Sequence, residues 1–90
     1  MQYRSKNSIK LNIVLGELIR KKRLKNYDSG HKFSCEYGID SGHYSRIENG
    51  KIDCKITTFY KLAQALGLKP SKLMELLEQE LGENFSLIDD

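Results

Sequence analysis

Ninety residues give one domain with a single hydrophobic core and leave no length for that core plus a separate catalytic domain. A composition of 39% hydrophobic and 30% charged residues, with five Tyr and three Phe, excludes a disordered chain. The net charge of +3 selects no partner, but its distribution is uneven: residues 1–25 hold eight Lys or Arg against Glu17 alone, and residues 70–90 hold Lys72 against six acids. A basic end suits a polyanion, and an acidic end suits solvent or a basic protein surface. Cys35 and Cys54 lie in no CxxC and in no dense cysteine framework, which argues against a disulfide-stapled secreted domain. The start, MQYRSKNSIK, lacks the apolar stretch of a signal peptide, and no apolar run approaches the ~18 residues of a membrane span. A cytoplasmic protein, away from any membrane, is the expectation.

In chain order, residues 1–10 read as a basic N-terminal arm, with insertion of Arg4 and Lys6 into a minor groove as a secondary possibility. Residues 11–82 read as the folded domain. Leu11, Val14, Leu15, Leu18, Ile19 and Lys22 follow helical spacing and predict a first helix ending near Asn26, with the Lys22 stem covering apolar surface. A turn cluster through Gly30 follows, where Asp28 or Ser29 caps a short second helix to about Tyr37, closed by Gly38. Asp40 or Ser41 then caps a third helix whose Tyr44, Ile47 and Glu48 face inward. After a loop through Lys51, Asp53 and Lys55, a fourth helix spans about 56–66, with Ile56, Phe59, Tyr60, Leu62, Ala63 and Leu66 as its apolar face. Pro70 opens a fifth, in which Leu73, Leu76, Leu77 and Leu81 recur up to Gly82. Residues 83–90 read as a loose acidic tail. No strand pattern or repeat interrupts this all-α reading.

Two short helices separated by about three residues, with glycine in the turn, form the unit that lays a recognition helix in a DNA major groove. On the third helix the inward set leaves Gly42, Ser45, Arg46 and Asn49 on a polar outer face almost free of acid, with Ser41 at the helix start near free N–H groups. Arg46 is the expected base contact, since guanidinium to guanine is the commonest specific pairing. Lys51 and Lys55 are expected to add sequence-blind, salt-dependent affinity.

The same residues carry a resemblance. Leu15-Gly16 with Ile19 and Arg23, Phe33-Ser34 before Gly38-Ile39, Tyr44 through Lys51, and Leu62-Ala63-Gln64-Ala65-Leu66-Gly67 resemble the Cro and phage-repressor-like (XRE) helix-turn-helix family, without a gap from about Leu15 to Leu76. The resemblance implies a compact five-helix, lambda-repressor-like domain that binds double-stranded DNA as a transcriptional regulator, usually as a symmetric homodimer on an inverted repeat. By position it implies Ser41, Gly42 and Arg46 toward the bases with Ser45 beside them, and Gly30, Asn49 and Lys51 along the backbone, to which the location of Ser29, His43 and Lys55 adds those three as backbone contacts. It also implies a structural ion pair, Arg23 with Glu48, expected to be bidentate. The chain departs from the family pattern at Gly30, where Gln is usual, at Ser34, where Ala is usual, and at Tyr27-Asp28, for which Leu24 could supply the lost apolar contact. Gly42 lacks a reading side chain, so selectivity leans on Arg46, aided by His43 or Ser45.

Other chemistry finds little support. His31 and Cys35 stand i, i+4, compatible with a metal pair that Cys54 and His43 could complete, but no CxxC or HExxH anchors a site and buried or partly buried thiols are the expectation. Asp40, Ser41 and His43 are too close along one turn to form a hydrolase triad, and Asn49-Gly50-Lys51 is no phosphate loop. No enzyme, cofactor, metal or small-molecule substrate is implied. Met74, Leu77 and Leu81 could extend the leucine stripe beyond one core and bury it against a second copy. Two other readings stay open at this stage. One is an antitoxin-type module that covers a partner protein as well as DNA; the other is a metal- or redox-sensing variant gated by Cys35 and Cys54.

Overall fold

The computed structural model describes residues 5–88, and these form five α-helices: α1 Lys6–Arg23, α2 Gly30–Glu36, α3 Ser41–Glu48, α4 Ile56–Ala65 and α5 Pro70–Leu81. Three helices start where a short polar side chain accepts from the backbone three residues on. Ser5 takes Ser8 N at 3.1 Å, Ser29 takes Lys32 N at 3.2 Å, and Asp40 takes His43 N at 2.9 Å. Pro70 instead begins α5 with its ring in the first turn, where no N–H is needed. Helices α2, α3 and α4 end alike. The amide two positions past each cap bonds back across six residues, Ile39 to Ser34 O, Lys51 to Arg46 O and Leu68 to Ala63 O, at 2.8 to 2.9 Å.

The core sits between α1, which spans the molecule, and the other four. Ile19, Phe33, Tyr44, Ile47, Leu62 and Leu73 are all but sealed from solvent and draw on every helix. Helix α3 packs on both α1 and α2, and α5 packs on α1 and α4. Two glycines set how closely the recognition segment approaches α1. A Cβ at Gly16 would fall 2.2 Å from Glu48 O, so the α1–α3 crossing exists only because that position is bare. Gly50, at φ +70°, turns the chain out of α3 where a Cβ would meet Ile13 at 2.7 Å.

Several boundaries differ from the sequence reading. Helix α1 begins at Lys6 rather than near Leu11, because Ser5 caps it and Asn12, which breaks the apolar stripe, is buried with its amide donating to Asp53 Oδ1 at 2.7 Å. Lys6 is therefore helical rather than part of an extended arm, and Arg4 lies outside the described residues. Residues 83–88 are not loose: the chain turns at Gly82, half-buries Phe85, and brings Ser86 O to 2.8 Å from Asn7 Nδ2 on α1. On α4, Ile56 and Tyr60 do not join the core; they are 71% and 53% exposed. Leu77 is buried, so of the stripe expected to reach outward on α5 only Met74 is open to solvent. Leu24 is exposed too, and Tyr27 itself fills the α1–α2 loop, packing edge-on against Phe33 with ring centroids 5.4 Å apart.

Candidate nucleic-acid interface

Helix α3 is fixed from beneath and open above. Tyr44 and Ile47 are buried, and on the other side of the helix Gly42, Ser45, Arg46 and Asn49 are exposed. These four thus share the outer face expected of them, with Ser41 and His43 half-buried at its N-terminal end. Arg46 folds back along the helix toward Gly42, whose missing Cβ would stand 3.6 Å from Nη1 and 3.4 Å from Asp40 Oδ2. Asn49 Nδ2 lies 3.3 Å from Ser45 Oγ and donates to it. Lys51 follows directly after the turn at Gly50, and Lys55 stands at the N-cap of α4; both are exposed. Ser29 and Gly30 occupy the start of α2 and are half-buried.

The support beneath α3 is an ion pair. Arg23, 6% exposed, sends Nη2 to Glu48 Oε1 at 2.6 Å, and Nη1 turns away to Tyr27 O at 3.0 Å. The contact is therefore single rather than the expected two-pronged fork. One guanidinium instead ties together the end of α1, the loop after it and the last residue of α3. Burial works against the Arg23 charge, yet the hydrogen bond and charge of Glu48 together with Tyr44 hold the pKa above its ordinary value. Arg20 adds a looser contact, Nε to Glu48 Oε1 at 3.9 Å. Burial, then the nearby Glu48 charge, pushes Tyr44 up to about 12.

This packing accounts for glycine at position 30. A Cβ there would lie 3.0 Å from Tyr44 Cε2 and 3.2 Å from Glu48 Oε2, so a side chain fits only if the ring and the carboxylate give by a few tenths of an ångström. The tightest of these contacts is with the aromatic ring that α3 inserts beneath position 30.

Sequence reasoning missed one group at this surface. His31 Nδ1 stands 3.0 Å from Ser41 Oγ, and Ser41 Oγ stands 3.1 Å from the fully buried Ser34 Oγ, which donates to His31 O at 3.0 Å. The three residues lock the body of α2 to the start of α3. Ten positions separate His31 from Ser41, so no local periodicity links them; the one clue was that a hydroxyl at position 34 needs a partner. Cys35 belongs to the same corner, its Sγ 3.7 Å from both His31 Nε2 and Ser41 Oγ. Contrary to expectation this thiol is exposed, and only Cys54 is partly buried, with burial pushing its pKa up to about 11. Among the described residues no group of three or more His, Cys, Asp or Glu side chains could hold a metal ion.

Comparison with known proteins decides the family. The Helix-turn-helix family model matches residues 19–73, which takes in all of α2, α3 and α4 and the Arg23–Glu48 pair. The chain belongs to that family. It is a sequence-specific DNA-binding regulator of transcription, and α2 with α3 is its helix-turn-helix. Among curated proteins it is similar to the control protein C.MunI of Mycoplasma sp, 33% identical over 75 residues that span 82% of this chain and 99% of that protein. Among solved structures it is similar to the restriction-modification controller protein C.AhdI from Aeromonas hydrophila, with a TM-score of 0.63 and 25% identity over 71% of this chain and 96% of that one. No helix among the described residues is long and apolar enough to cross a membrane.

Proposed function

We propose that this regulator is a controller protein of the kind that C.MunI and C.AhdI represent, docking as a homodimer on an inverted repeat with α3 of each copy in a major groove. The observation that carries the reading is the exposed polar outer face of α3, with Asp40 at its cap as the acid beside it, held on α1 by Arg23–Glu48. Such a face keeps its register only if the helix cannot rock. Arg46 is the base-reading cation, with Ser41, Ser45 and the bare Gly42 beside it, and Gly42 leaves room for the guanidinium to sweep along the groove floor. Ser29, Gly30, His43, Asn49, Lys51 and Lys55 line the phosphates and set orientation without reading sequence. The chain acts by occupying DNA, not by catalysis, in a cytoplasm that keeps both cysteines reduced.

Dimerisation is favoured by a surface that α3 does not line. A groove of about 340 Å³ runs between α1, α4 and α5, floored by Leu15, Phe59 and Leu77 and rimmed by Ile56, Met74 and Leu87. The three rim residues are 71%, 41% and 51% exposed, an apolar cluster of the kind that a second copy covers. A two-fold dimer spaces its half-sites about 34 Å apart, one turn of duplex.

Selection of preferred duplexes from a random pool tests the assignment. Arg46→Ala is expected to cost roughly 1 to 3 kcal/mol at the cognate site and to flatten one base position in each half-site. Lys51→Ala weakens all duplexes alike and lowers the salt slope by about one. Unaltered base preference in Arg46→Ala would remove that residue from the reading surface.

A further inference from the structure

Hydrogen counting at the α2–α3 corner gives Ser41 a definite polarity. Ser34 has one hydroxyl hydrogen, and it is committed to a carbonyl, His31 O, which can only accept. The 3.1 Å contact between Ser34 and Ser41 must therefore use the Ser41 hydrogen. With that hydrogen spent, the 3.0 Å contact between Ser41 and His31 Nδ1 needs a hydrogen on the ring nitrogen. This is the one assignment that places a hydrogen in each of the three oxygen and nitrogen contacts. In a neutral imidazole it selects the tautomer with the hydrogen on Nδ1, and the charged ring, protonated on both nitrogens, meets it as well. In the neutral ring Nε2 is then a bare acceptor. The Cys35 thiol, 3.7 Å from both Nε2 and Ser41 Oγ, gives its hydrogen to that nitrogen, the stronger acceptor. Ser41 Oγ is left with a lone pair and no hydrogen to offer.

We infer that Ser41 is an obligate acceptor toward DNA, and so selects a base that presents an amino donor in the major groove, adenine through N6 or cytosine through N4. A serine free to rotate its hydroxyl accepts either pattern. Ser41 cannot, because Ser34 and His31 have fixed its hydrogen, and the carbonyl oxygens of guanine and thymine would face a lone pair. Ser34 and His31 are thus positioning residues for specificity. The substitution of serine for a small apolar residue at position 34 sets which bases are admitted without Ser34 approaching DNA.

The inference rests on the placement of Ser41 against the bases proposed above, and duplex selection separates the two. The wild-type protein should prefer adenine or cytosine at one half-site position that becomes indifferent in Ser41→Ala. Ser34→Ala returns the hydrogen to Ser41, so guanine or thymine should become tolerated there and the preference should fall roughly two- to tenfold, the worth of one net hydrogen bond. A duplex carrying a base analogue without the exocyclic amine at that position should weaken the wild type by a similar factor and leave Ser41→Ala unmoved. The analogue arm needs no change at the buried Ser34, so it decides the matter even if that variant folds poorly. A Ser41-dependent position that prefers guanine or thymine overturns the polarity while leaving Ser41 a base reader. No Ser41-dependent position at all overturns the placement itself.

Discussion

Arg23 and Glu48 show why a single contact can govern a binding surface. The pair is nearly closed to water, with side chains 6% and 11% exposed, so either charge left alone would sit in a medium that solvates it poorly. Arg23→Ala is accordingly expected to destabilise the fold by about 3 kcal/mol, at the low end for a broken buried pair because Arg20 already lies 3.9 Å from Glu48 and can turn inward. The network is imperfect as it stands. Among the described residues, Arg23 Nε and the Tyr44 hydroxyl are buried without a hydrogen-bond partner. Replacing both charges by apolar residues, Arg23→Met with Glu48→Leu, should therefore recover most of the lost stability. It should not recover DNA affinity, since α3 loses its tether to Tyr27 O and to α1. Urea unfolding of the wild type and the two variants beside a binding titration measures the two effects separately; recovery of both together would make the pair a matter of stability alone.

At the scale of elements, the joint between α1 and α3 decides where the recognition helix points. Gly16→Ala would put a methyl 2.2 Å from Glu48 O, against backbone that cannot swing aside as a flexible side chain would. The expected outcome is a loss of 1 to 3 kcal/mol, the usual cost of overpacking, together with weakened DNA binding, because the strain is relieved by moving α3. Thermal melting and a cognate-duplex titration would check both, and a variant that binds normally would show that the crossing has slack. Much of this geometry was legible in the sequence. Gly38, Gly50 and Gly67 mark the helix ends because each takes positive φ, and the spacing of Tyr44 and Ile47 marks the inner face of α3. What was not legible depended on contacts far apart in sequence. The start of α1 was hidden by Asn12, a polar residue in an apolar stripe that is buried only because Asp53 meets it from another element. The outward Ile56 and Tyr60 fit a helical apolar face on α4 as well as buried residues would, and periodicity alone does not tell which flank of a wide face the domain covers. The His31–Ser41–Ser34 corner likewise exists only once two helices meet.

For the whole molecule, those two outward residues on α4 become a statement about assembly. Ile56 is 71% exposed at the first position of α4, beside Met74 and Leu87 around one groove, while α3 faces DNA with polar side chains. The polar outer face of α3 and this exposed apolar cluster are separate surfaces, and the cluster is the one that the proposed dimer would bury. Ile56→Glu changes only the second. Its side chain is already in water, so the monomer should keep its fold and melting temperature to within about 0.5 kcal/mol, the range for surface substitutions away from special features. In the dimer the same carboxylate would be trapped against apolar surface, and an unpaired buried charge is costly enough to shift association by orders of magnitude. Analytical ultracentrifugation should show the variant as a monomer at concentrations where the wild type is a dimer. The duplex titration should fall apart in a particular way, too. Affinity for an isolated half-site stays near wild type, and the gain from joining two half-sites in an inverted repeat disappears, since that gain comes from linking two binding events. A variant that still sediments as a wild-type-like dimer would move the interface elsewhere on the surface, while leaving the assignment of α3 untouched.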